Sequence, residues 1–266
     1  MTQAKLTWLP KKTFELEFSL PWEQVKKTYD KVLNELTKSA KLEGFRPGKA
    51  PKDLVEKSLD KGKLYGEVIN QLLPLSYAQA TNQHHLKPAL APKITIVSAE
   101  DNKPWQFKAS SCELPEIKLG EYEKICRGAL AKELKPPAKT QKLNLISKAL
   151  LDDIKIELSD LLIDSERDRL LSRLLEQLQK LGLTIDQYAA SNNKTIAQIK
   201  EEYKQTAANT IKLELILQVI AEEKKFKADE KEIDKMIANA GGAPADRVYI
   251  AVLLKKQQAI DYLLSL

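Results

Sequence analysis

Between positions 13 and 20 the chain sets Phe14, Leu16, Phe18 and Leu20 against Thr13, Glu15, Glu17 and Ser19. A period of two is that of a strand with one face buried. A shorter strand over residues 5–9 would pair with it across Pro10-Lys11-Lys12. Pro21 then sits where a helix can start, because its missing N–H has no partner to lose there. Trp22, Val25, Tyr29, Val32 and Leu36 follow at helical spacing, with a stop expected near Gly44. A second helical region runs from 51 towards 82 on Val55, Leu59, Leu64, Val68 and Leu72, with a break expected at Asp60-Lys61-Gly62. Residues 90–97 and 106–114 read as two further strands around the polar turn Glu100-Asp101-Asn102-Lys103. Strands at both ends with helices between them predict an α+β domain, an antiparallel sheet with a helical hairpin on one side.

Beyond this the pattern changes. Residues 116–140 hold Gly120, Gly128 and Pro136-Pro137 with mixed charges and no sustained period, which reads as a linker. From 141 onward strand signals vanish. Leu171, Leu174, Leu178 and Leu181 form a helical stripe stopped by Gly182. Thr195 is a good N-cap for a long helix that steps through Ile196, Ile199, Tyr203, Ala207, Thr210, Leu213, Leu217 and Ile220. Helices over 230–239 and 246–266 follow, separated by Gly241-Gly242-Ala243-Pro244. The expected organisation is an α+β domain over 1–120, a linker over 121–140 and an all-α domain of long helices over 141–266.

Composition narrows the chemistry. With 266 residues, 43% apolar and 30% charged, the chain can bury two ordinary cores and is not a disordered polymer. It has two histidines and two cysteines. Cys112 and Cys126 match no zinc or redox spacing, and two free, half-buried thiols are expected. His84 and His85 are adjacent and diverge on any regular element. No GxSxG, Walker loop or HExxH is present, so no catalytic residue, cofactor or metal is expected. No apolar run reaches the ~20 residues of a membrane span, and residues 1–5 lack a secretory pattern, so a cytoplasmic location without membrane contact is expected. Basic residues exceed acidic ones by 21 to 16 over 1–130 and by 22 to 21 beyond. Eight of them stand between Lys38 and Lys63 against four acids. This suits a polyanionic surface, and equally suits lysine-rich solvated helix faces.

The most informative segment is Gly44-Phe45-Arg46-Pro47-Gly48-Lys49-Ala50-Pro51, between two amphipathic helices. Its glycines and prolines make a tight turn at a hairpin tip. A phenylalanine beside two cations has the makeup of a binding hot spot, the ring entering a pocket while the charges meet carboxylates or phosphates. The plainer reading is a turn whose Phe45 folds back on its own helices.

This segment resembles the GFRxGKxP signature of the bacterial trigger factor family, with Pro47 and Ala50 at the variable positions. Later segments are similar too: Ile163-Asp164-Ser165-Glu166, then 182–188, and Lys227-Ala228-Asp229-Glu230-Lys231-Glu232-Ile233. The resemblance implies an N-terminal ribosome-docking domain and a helical chaperone domain. By it, Phe45, Arg46 and Lys49, with Gly44, Gly48 and Pro51 shaping the loop, would dock on a large-subunit protein and adjoining RNA near the tunnel exit. The function implied is an ATP-independent chaperone for nascent and unfolded polypeptides, with a homodimer off the ribosome left open. Family members usually carry an FKBP-like prolyl isomerase domain of roughly a hundred residues. The 25 residues over 116–140 have no room for one, so isomerase activity is not expected. The alternatives are a ribosomal RNA-binding or assembly factor without clients, or a residual prolyl isomerase.

Overall fold

The computed structural model describes residues 4–40, 42, 45–46, 48–131, 138–240 and 247–266. They fall into two compact units, Met1–Leu114 and Pro115–Leu266.

In the first unit, β1 (Ala4–Leu9) and β2 (Thr13–Leu20) form a hairpin. Lys11 and Lys12 turn it, both with positive φ (58° and 55°), and Thr13 N–H donates to the Pro10 carbonyl at 3.2 Å. Two successive left-handed residues match the right-handed twist of the strands they join. Strands β3 (Lys93–Ser98) and β4 (Trp105–Cys112) complete an antiparallel sheet ordered β1-β2-β4-β3. The register sets Leu16 opposite Ala109, Phe18 opposite Phe107 and Leu20 opposite Trp105, all of them buried. The intervening residues reach the other face, where Lys108 pairs with Glu15 at 3.0 Å and with Glu17 at 3.4 Å. The alternation read from β2 is therefore the division between core and solvent.

Helices α1 (Trp22–Ser39), α2 (Lys52–Ser58) and α3 (Lys61–Gln83) lie between the second and third strands in sequence. Val25, Val32 and Leu33 of α1 and Leu64, Val68 and Ala80 of α3 share one core with the buried sheet face. The expected break is present: the Asp60 carboxylate caps α3 by accepting from Gly62 N–H at 2.8 Å. Helix α1 ends at Ser39 rather than near Gly44, because Ala40 is already extended (ψ 134°). Strand β3 begins at Lys93 instead of 90. Pro92 precedes it, and Ala89 N–H is bonded to the Cys112 carbonyl at 2.8 Å.

The second unit contains α4 (Tyr122–Leu130), α5 (Lys139–Asp153), α6 (Asp160–Lys180), α7 (Ile185–Ser191), α8 (Ile196–Glu223), α9 (Glu230–Ala240) and α10 (Arg247–Ser265). The segment read as a linker over 121–140 departs from that reading. Residues 122–130 are helical, and Tyr122 and Cys126 are buried in the same core as Ile146, Leu150, Ile216, Ile220 and Leu263. Nine residues show too few repeats of a helical period to stand out, so packing decides the element. Residues 154–158 also differ from an all-helical reading. Ile154, Ile156 and Leu158 alternate into the core with Lys155 and Glu157 outside, in extended backbone that joins no sheet.

Helix α8 serves two cores. Its C-terminal half gives Leu215, Ile216, Leu217, Ile220 and Ala221 to the cluster just described. Its N-terminal half gives Ile199, which with Leu174, Leu178 and Ala189 forms a separate, smaller cluster. Thr195 caps α8 and Thr184 caps α7, each hydroxyl accepting from the backbone N–H three residues on at 3.2 Å. Gly182, at φ 68°, ends the run after α6. Cys112 and Cys126 form no disulfide and lie in different units. Both are fully buried rather than half-buried, and burial pushes the Cys126 thiol up to about 11. Among the described residues no helix is long and apolar enough to cross a membrane.

Candidate functional site

The loop between α1 and α2 is built by backbone contacts. Gly48 N–H donates to the Ala40 carbonyl at 3.2 Å, closing the loop at its neck. Phe45 N–H donates to the Leu42 carbonyl at 3.1 Å, and Lys49 N–H donates to the Arg46 carbonyl at 3.0 Å. Gly48 has φ 74°, and a Cβ there would stand 2.6 Å from the Lys38 carbonyl oxygen. Both the torsion and the close approach require glycine. Pro51 follows with φ −58° at the N-cap of α2, a torsion its ring imposes, and Ala50 beside it is buried.

The side chains go outward. Phe45 is 42% exposed, and Arg46 and Lys49 are exposed on either side of the turn. The exposed ring disfavours a Phe45 folded back on its own helices. Of the six residues read from the sequence, Phe45, Arg46, Gly48, Lys49 and Pro51 are described here, and Gly44 lies outside the described residues, as does Pro47. Sequence reasoning missed Leu54, an apolar residue 43% exposed in the first turn of α2. The letters carried little signal for it, because Leu54 adjoins the fully buried Val55 and nothing local says which of two neighbouring apolar residues turns inward.

In the second unit, apart from Met236 of α9, the large apolar side chains left exposed among the described residues fall into two groups. Leu175, Leu181, Leu183 and Ile196 surround the turns joining α6, α7 and α8. Val248, Tyr249, Val252 and Leu253 occupy the first turns of α10. The stripes read from the sequence mostly went inside: Leu174, Leu178, Ile199, Ala207, Leu217 and Ile220 are buried. Elsewhere in this unit Lys224 links three elements. Its ammonium donates to Glu123 of α4 at 2.6 Å and lies 4.7 Å from the ring centre of Tyr262 of α10, while Tyr262 also donates its hydroxyl to Glu123. Its hydrogen bond to Glu123 holds the Lys224 ammonium above its usual range, and the same contact holds Glu123 below its own. Every member of that cluster satisfies another, so it is a structural clasp.

Comparison with known proteins places these features in a family. The model described as "Bacterial trigger factor protein (TF)" matches residues 2–137, and that of "Bacterial trigger factor protein (TF) C-terminus" matches residues 118–264. The chain is 34% identical over 123 residues to the trigger factor of Pelotomaculum thermopropionicum, covering 46% of this chain and 28% of that protein. It is 36% identical over 111 residues to that of Lactobacillus gasseri, covering 42% and 25%. For Mycolicibacterium smegmatis the identity is 36% over 110 residues, covering 41% and 24%. Each match thus spans about a quarter of the relative's length. A solved structure from work on "Promiscuous Substrate Recognition in Folding and Assembly Activities of the Trigger Factor Chaperone" superposes over 99% of both chains, with a TM-score of 0.62 at 14% identity. That likeness concerns the fold.

Proposed function

Since the chain belongs to the bacterial trigger factor family, we propose that it is a cytoplasmic, ATP-independent chaperone that docks near the ribosomal tunnel exit through the α1–α2 loop and holds nascent or unfolded chains on its helical unit. One observation carries the reading: an exposed Phe45 followed by two exposed cations, Arg46 and Lys49, on a loop whose shape depends on Gly48. An apolar ring presented with guanidinium and ammonium groups suits a protein pocket rimmed by carboxylates or RNA phosphates. The partner we assign is the large ribosomal subunit, protein and adjoining RNA together.

Client holding is assigned to the exposed apolar groups around the α6–α8 turns and at the start of α10. Scattered leucine, valine and tyrosine side chains can contact many sequences weakly. The sequence has no nucleotide-binding loop, so capture and release rest on binding equilibria. We assign no isomerase activity. The chain between the two recognised parts is occupied by α4, whose Tyr122 and Cys126 are committed to the core of the second unit.

Co-sedimentation with ribosomes at graded salt tests the docking. Replacing Phe45, Arg46 and Lys49 together by alanine should weaken binding at least about tenfold, as loss of a hot spot does. The thermal melt should stay nearly unchanged. Unaltered binding by this variant would remove the docking assignment. The salt slope separates partners: contact with RNA phosphates through both cations would lower it by about 2, whereas contact with protein alone would change it less.

A further inference from the structure

Away from the docking loop, the first unit has a cavity of about 290 Å³ beside α1, α2, α3 and the β3–β4 turn. Its walls combine aromatic rings with carboxylates. The rings of Tyr29 and Tyr65 lie 5.7 Å apart at 54°, Trp105 meets Tyr65 edge-on at 5.2 Å, and Trp22 stands 6.4 Å from Trp105 and lines the cavity itself. Tyr29 donates its hydroxyl to Glu56 at 2.5 Å, and Tyr65 donates its own to Asp101. Burial, and after it the bond to Asp101, pushes Tyr65 up to about 12; burial and Glu56 likewise raise Tyr29. Each tyrosine also feels the other's carboxylate, so the two pairs share one negative field.

Among the described residues neither Glu56 nor Asp101 forms an ion pair. Lys26 and Lys61 line the cavity but remain exposed. A carboxylate offers about four acceptor positions, so one tyrosine hydroxyl leaves most of its capacity unused. The site is also out of character with its surroundings, since residues 1–130 carry 21 basic against 16 acidic side chains.

We propose that this cavity binds a guanidinium, the arginine side chain of a polypeptide partner, with the cation against the rings of Trp22, Tyr29 and Tyr65 and its N–H groups donating to Glu56 and Asp101. A guanidinium fits better than an ammonium because it is planar, weakly hydrated, stacks on aromatic rings and meets carboxylates with a fork of donors. The volume falls just below the ~300–1,000 Å³ range of small-molecule sites, which suits one side chain. Lys26 and Lys61 favour a singly charged arginine on a neutral backbone over a polyamine, whose further charges they would repel. This site is separate from the docking loop, and its test leaves Phe45, Arg46 and Lys49 untouched.

The experiment uses the full chain with Trp8→Phe, so that emission reports Trp22 and Trp105. Titration with acetyl-Gly-Arg-Gly-amide should give a saturable change that weakens with added salt. The matching citrulline peptide, which keeps the shape without the charge, should bind at least about tenfold more weakly, and so should the Arg peptide to the Glu56→Gln/Asp101→Asn variant. An equal response to citrulline, or undiminished binding by that variant, would overturn the proposal. Should the double variant fail to fold, Lys61→Glu decides: it should tighten the Arg peptide, and no tightening would overturn the site. Spermidine binding more tightly than the peptide would overturn arginine as the ligand.

Discussion

Gly48 and Gly66 have opposite structural constraints within one unit. Gly48 holds φ 74° with the Lys38 carbonyl where a Cβ would stand, whereas Gly66 lies inside α3 with nothing within 4 Å of an added Cβ. Gly48→Ala should therefore cost about 1–3 kcal/mol of local strain and weaken ribosome binding even though the docking side chains are intact. Gly66→Ala should stabilise by up to about 1 kcal/mol, because glycine costs that much inside a helix. Thermal melts of the two variants, with co-sedimentation of the first, check the pair. At this scale the residues proposed for docking were legible, since Phe45, Arg46 and Lys49 are distinctive as letters and all three are exposed. The clash at Gly48 was not, because it involves a backbone oxygen ten residues away.

Among the elements, α4 was the least visible in advance. Its nine residues follow a proline-containing run without regular structure, and what makes the helix worth forming is the core that Tyr122 and Cys126 enter. The Lys224 clasp then ties α4 to the end of α8 and to α10. Lys224→Met keeps the apolar stem and removes the charge, so it tests the clasp with little loss of packing. Glu123 is held below its ordinary value of 4.5, so its contribution is present above that pH and fades as pH falls through the lowered value. Lys224 is held above its ordinary 10.5, so its contribution is present below that pH and fades as pH rises through the raised value. Lys224→Met should lower the melt by a few degrees at most near neutrality, as solvent-screened pairs do. It should also flatten the dependence on pH at both ends, and melts recorded at pH 3, 4, 7 and 11 measure this. A melt that still falls with acid as in the parent would show that Glu123 draws its support from elsewhere.

For the molecule as a whole, the boundary at Pro115 has a direct consequence for fragments. A chain of residues 115–266 keeps Leu119, Tyr122 and Cys126 in the core, and a chain of 141–266 loses all three. Burial of three such side chains is worth roughly 5–9 kcal/mol, comparable with the whole net stability of a domain. The longer fragment should melt cooperatively and suppress aggregation of a denatured client about as well as the full chain. The shorter one should be largely unfolded. Far-ultraviolet circular dichroism and light scattering check both, and an inert but folded 115–266 would place client holding outside this unit.

The alternation over 13–20, the stripe behind Thr195 and the capping residues determined the strand, the long helix and their ends by themselves. Each is a local rule, a period or a hydrogen bond within a few residues, and so is written in consecutive letters. The loop proposed for docking was equally local, since Gly48 and Pro51 stand within a few letters of Phe45, Arg46 and Lys49. Only tertiary structure decided that residues 122–130 are helix and that Ile154, Ile156 and Leu158 run extended into a helical core. It also decided that α8 serves two separate clusters and that Tyr29, Glu56, Tyr65 and Asp101 share one cavity. Those outcomes depend on which distant surfaces meet, because burial rewards an apolar side chain wherever it finds a neighbour and does so without regard to its place in the chain.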